Sequence, residues 1–130
     1  MIPDYQTLML PLLQLLDDGQ PLYAMKGSAR VKPCFENEPY ISVVTEMEIL
    51  GVKEITDAEI TVRETAIQFC GIIPLTNKIK NKAIAVKRLI KIPLPDAIIA
   101  ATAIEEELIL VSADKGFKRI KDLQLILIEV

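Results

Sequence analysis

Along the first part of the chain, apolar residues recur at helical intervals. Leu8, Leu12, Leu15 and Leu16 share one stripe of residues 5–17, with Asp4 as a possible N-cap and Gly19 as a closing residue. The spacing predicts a helix, against Pro11, which costs about 3 kcal/mol in a helix interior. Pro21 suits the first turn of a second helix through Leu22 to Gly27. The pattern then changes. Tyr40–Val44 is β-branched and short and reads as a buried strand. Thr45 and Glu48 have the spacing of a capping box and predict the start of the next helix. Thr56-Asp57-Ala58-Glu59 opens another, expected to run to about Cys70.

Ile72–Leu75 reads as a short strand, and Thr76 caps a long helix through residues 78–90 with Ile79, Ala83, Val86 and Ile90 on one face. Pro93-Leu94-Pro95 breaks it, and Asp96 begins an alanine-rich apolar helix. Leu108–Val111 and Leu125–Ile128 are continuous apolar strands, separated by a helical turn over residues 115–121. Apolar strands alternating with helices predict an α/β fold, its mostly parallel sheet covered on both faces. Neither a repeat nor a linker interrupts residues 1–130, so a single domain is expected.

Composition narrows the chemistry. The chain of 130 residues is 51% apolar, which excludes a disordered polymer, and no apolar run reaches membrane-spanning length. Its start, Met1-Ile2-Pro3-Asp4, lacks the basic region of a signal peptide. Cys34 and Cys70 fit no metal or redox spacing, so a reduced cytoplasmic protein is expected. Histidine is absent altogether, which removes Ser-His-Asp, Cys-His and H-E-x-x-H chemistry. Glycine-rich phosphate loops are absent too. An enzyme built from these residues works with carboxylates, lysines, hydroxyls or a hard metal ion.

Charge is segregated. Residues 1–70 carry a balance of −6 and residues 71–130 one of +3, for a net −3. Lys78, Lys80, Lys82, Lys87, Arg88 and Lys91 form a run without an acid, suited either to phosphates or to a solvated helix face. Glu105-Glu106-Glu107 reads as a solvated helix end. In parallel sheets ligands gather beyond the C-terminal strand ends. Glu48, Asp96 and Asp114 all fall near such ends. Clustered carboxylates repel unless a cation compensates, and Mg²⁺ or Mn²⁺ takes oxygen ligands. Such ions activate water and stabilise the leaving oxygen in phosphodiester cleavage. Each acid also has a structural reading: Glu48 in the capping box, Asp96 against a helix dipole, Asp114 as an N-cap.

Three segments resemble motifs of one family. Ser42-Val43-Val44-Thr45-Glu46-Met47-Glu48-Ile49-Leu50-Gly51 resembles S-x-x-T-x-x-E-L-x-G of PIN-domain ribonucleases. Leu94–Ala103 is similar to their P-D-A-x-I-A-A-x-A helix, and Leu110–Phe117 to L-V-T-x-D-x-x-F. The resemblance is closest to VapC-type toxins of toxin–antitoxin pairs. It implies a three-layer α/β/α sandwich that cleaves RNA with Mg²⁺ or Mn²⁺, dimerises, and is neutralised by a small antitoxin. By motif, Glu48, Asp96 and Asp114 would be catalytic, metal-binding carboxylates, and Ser112 would support them. The run Lys78, Lys80, Lys82, Lys87 and Arg88 would hold the RNA backbone. Gly116 stands where many members carry a further acid.

The front end departs from the family. Its first strand, central in the sheet, ends in L-D-T-N-x-L-x-Y, and here Leu16-Asp17-Asp18-Gly19-Gln20-Pro21-Leu22-Tyr23 is the match. Asp17 would be the first metal ligand, and residues 1–21 form an atypical segment with that strand altered or missing. Ile2–Leu13 is instead similar to the opening helix of the winged-helix domain of Mrr-type restriction endonucleases. Three functions follow: a ribonuclease, a degenerate PIN domain that only binds a partner, and a DNA-binding module resting on the Mrr-like start.

Overall fold

The computed structural model describes Leu8–Pro11 and residues 39–127. Among them the elements are β1 (Leu8–Pro11), β2 (Tyr40–Ser42), α1 (Val43–Leu50), α2 (Asp57–Ile67), β3 (Gly71–Ile73), α3 (Asn77–Leu89), α4 (Leu94–Glu105), β4 (Leu108–Ser112) and β5 (Leu125–Leu127), with a 3₁₀ turn at Lys115–Arg119. The expected helix at Leu22–Gly27 lies outside the described residues.

The strands form one sheet in the order β3-β2-β1-β4-β5. β2 pairs parallel with β3, and β4 with β5. β1 is antiparallel to both of its neighbours, so four strands run one way and the central one runs against them. At residues 8–11 this corrects the helix expected over residues 5–17, the rest of which lies outside the described residues. The sheet requires a strand between β2 and β4. Filling that place satisfies ladder groups on β4, which outweighs the local helical period. β1 aligns four residues with β4, Leu8 opposite Val111 through Pro11 opposite Leu108. Against β2 the register holds only Met9 opposite Tyr40. Pro11 closes the strand, a position that tolerates the missing N–H.

Side-chain alternation along β4 divides the core. Leu108 and Leu110 join Ile79, Ala83, Val86, Ile99 and Phe117 on the face covered by α3 and α4. Ile109 and Val111 join Ile41, Ile49, Ala66 and Ile67 on the face covered by α1 and α2. The sheet is thus covered on both sides, in the α/β/α layering expected. Burying an isoleucine or leucine of this kind contributes about 1.5–3 kcal/mol. The alanines of α4 are fully buried, and their small side chains let the helix lie close to its neighbours.

Helix starts follow hydroxyl caps. The Thr56 and Thr76 side chains accept from the Glu59 and Ile79 N–H groups, as the sequence predicts. α1 differs. Its cap is Ser42, whose hydroxyl accepts from Val44 N at 3.1 Å, and the helix begins at Val43. The strand therefore ends two residues earlier than expected, and the capping box of Thr45 and Glu48 is not the start of this helix. Gly51 ends α1 because a Cβ there would lie 2.5 Å from the Met47 carbonyl oxygen.

Candidate functional site

β4 delivers its last residues to one end of the sheet, and α4 starts beside them. Ser112 is fully buried, and its hydroxyl accepts from the Asp114 N–H at 3.0 Å. One Asp114 carboxylate oxygen accepts from Gly116 N at 2.8 Å, so the structural reading of Asp114 as a cap holds alongside any other role. Two hydrogen bonds thus fix the loop that presents this exposed acid. Pro95 sits in the first turn of α4 and needs no donor there, which places Asp96 third in the helix rather than at its start.

The fold brings Asp96 and Asp114 together. Burial raises the Asp96 carboxyl above its ordinary value, and the charge of Asp114 raises it further. The positive end of α4 favours the carboxylate but does not cancel these effects. Among the described residues the one ion pair joins Lys82 to Asp122, at 3.5 Å, and neither Asp96 nor Asp114 is in an ion pair. Two carboxylates close enough to repel, neither in an ion pair among the described residues, are a donor set that suits a hard divalent cation.

Glu48 is not drawn into that pair. Because α1 starts at Val43, Glu48 lies about one and a half turns along it, about 8 Å from the helix start, and is exposed. Among the described residues no three Asp, Glu or Cys side chains form a group able to hold a metal ion. Asp17 lies outside the described residues. β1 closes at Pro11, opposite Leu108, at the end of the sheet far from Asp114.

Of the predicted RNA-binding cations, Lys78, Lys80, Lys87 and Arg88 are exposed on α3. Two of the five make contacts within the fold: Lys87 donates to the Ile92 carbonyl at 2.8 Å, and Lys82 pairs with Asp122. Thr45 was legible only as a cap. Its side chain is 2% exposed, and among the described residues its hydroxyl is the one buried side-chain polar atom with no partner.

The model of the PIN domain family matches residues 15–123. The chain belongs to the PIN-domain family. Its structure resembles a toxin–antitoxin complex from Klebsiella pneumoniae, with a TM-score of 0.57 and 30% identity over 67% of this chain and 71% of that one. No curated protein sequence matches. The family match begins after β1, so the central strand of this PIN domain comes from residues ahead of it. The Mrr-like start has no counterpart among these matches, and residues 8–11 of it are strand rather than helix. No helix among the described residues is long and apolar enough to cross a membrane.

Proposed function

We propose that this PIN domain is a metal-dependent endoribonuclease of the VapC type, the toxin of a toxin–antitoxin pair. PIN domains are in general nucleases that use divalent ions, and the family match supports that chemistry here. The observation that carries the reading is the Asp96–Asp114 corner, two acids in no ion pair among the described residues, at the strand end where α/β sheets bind ligands. Asp96 and Asp114 would hold Mg²⁺ or Mn²⁺; the family motifs would add Glu48 and Asp17, neither of which the described residues bring to this pair. When bound, the ion supplies water activation and charge stabilisation for phosphodiester hydrolysis.

The remaining work falls to the chain itself. Ser112 and the Gly116 N–H hold Asp114 in one orientation. The rigid first turn of α4 holds Asp96. Lys78, Lys80 and Arg88, with Lys82 and Lys87 beside them, attract the RNA backbone. The Klebsiella pneumoniae structure, a toxin–antitoxin complex, supports a small antitoxin as the protein partner, and the VapC resemblance implies a homodimer acting in the cytoplasm.

The test is cleavage of a mixed single-stranded RNA pool with Mn²⁺. Cleavage by the native chain, abolished by EDTA and by Asp96→Asn, is the expected result. A folded protein that leaves the pool intact sinks the enzyme reading. The second reading, a degenerate PIN domain that only binds a partner, is favoured by the reversed β1, which ends six residues before Asp17. Mn²⁺ titration by calorimetry separates the two, because a broken ligand set leaves no saturable heat.

A further inference from the structure

Away from the acidic corner, a second concavity of about 330 Å³ opens between α3, the end of α4 and residues 119–122. Its floor is aliphatic: Val86, Ile90, Ile104 and Ile120. Ile104 lies about 12 Å along α4 from Asp96, and neither Asp96 nor Asp114 lines the groove. Leu89 stands 83% exposed at its edge, more than any other large apolar side chain among the described residues.

The walls are basic. All ten Lys and Arg residues of the second half of the chain fall in two stretches, residues 78–91 and 115–121. These stretches are the two sides of the groove: Lys82 projects from one, Arg119 and Lys121 from the other. One acid, Asp122, lies on the rim and is paired with Lys82. A solvated basic face explains Lys82, Arg119 and Lys121 but not an exposed leucine beside them.

We propose that this groove docks an acidic protein segment that inserts aliphatic side chains between the basic walls. The volume suits one or two leucine-sized anchors, and the cations suit Glu or Asp on either side of them. Nucleic acid fits the walls but not the floor, which offers no aromatic ring on which a base would stack. The docking does not depend on the nuclease reading, since neither Asp96 nor Asp114 takes part. A segment seated there covers Lys82 and part of α3, and so would obstruct an RNA that tracks the same helix.

The probe is a short fluorescein-labelled peptide with leucines at helical i, i+3, i+4 and i+7 spacing and glutamates elsewhere, followed by anisotropy against the full-length protein. Saturable binding that weakens with salt is expected. Leu89→Asp and Lys121→Glu each weaken it by about tenfold, and Leu75→Asp, exposed but outside the groove, leaves it unchanged. Circular dichroism confirms that each variant is folded. Absence of binding overturns the proposal, as does equal binding of the same peptide with serines in place of leucines. A single-stranded RNA oligonucleotide that is weakened by the same two substitutions and excludes the peptide assigns the surface to nucleic acid instead. Self-association abolished by Leu89→Asp assigns it to a second copy of the chain.

Discussion

Asp96 is where the protein's electrostatics are most sharply set. Its carboxyl is raised above its ordinary value near 3.8, first by burial and then by Asp114. A raised acid binds its proton more tightly in the folded state. Its contribution to stability is therefore fully present below the ordinary value and lost as pH climbs through the raised one. In metal-free buffer, Asp96→Asn is expected to flatten that decline, read as melting temperature from pH 4 to pH 7. Added Mn²⁺ is expected to raise the melting temperature of the native protein and not of the variant. Thr45 offers a second test. A buried hydroxyl without a partner costs about 1–3 kcal/mol, so Thr45→Val is expected to stabilise the fold by about 1 kcal/mol in urea unfolding. Asp96 and Asp114 were legible from motif and chain position, and so was the repulsion between them, but the burial that does most to raise the proton affinity of Asp96 was not. It depends on two segments meeting in space, and no spacing records that.

Elements with agreeing local signals were the easiest to read. Thr56 and Thr76 cap their helices as expected, because hydroxyl, first-turn donor and apolar face all indicate one starting point. At α1 two candidate caps compete, and Ser42 prevails. A start at Val43 places Val44 in one half of the core and Ile49 in the other, a gain that the capping-box pattern at Thr45 and Glu48 does not register. β1 is the opposite case, since its stripe is helical and only the vacancy between β2 and β4 makes it a strand. The turn from α4 into β4 carries a local cost instead. Glu107 adopts a left-handed backbone with φ of 54°, where an L side chain is unfavourable by about 1–2 kcal/mol. Glu107→Gly is expected to raise stability by up to about 1 kcal/mol in chemical denaturation, without altering RNA cleavage.

For the whole molecule, the α/β class and two-sided sheet followed from the alternation of apolar strands and amphipathic helices. Strand direction did not, because an apolar run reads the same whether it runs with its neighbours or against them. The reversal of β1 concerns the site directly. Leu8 lies at the end of the sheet that carries Asp114, opposite Val111, and Pro11 lies at the other end, opposite Leu108. Removal of residues 1–11 takes out the strand that joins the two parallel pairs. The truncated chain is expected to lose its cooperative unfolding transition, and protease resistance of β4 with it, as limited proteolysis would show. If the truncated chain keeps a native melt, β1 is dispensable to the sheet.

The same strand dictates an order of assembly. Leu8 pairs with Val111, about a hundred residues later in the chain. During synthesis at roughly 5–20 residues per second, the first strand made waits some 5 to 20 seconds for the neighbour that holds most of its ladder. Closing so large a loop is also the costliest step in chain entropy. The middle of the sheet therefore cannot close until β4 is made, and until then the apolar β1 stands open to chaperones and to other copies of itself.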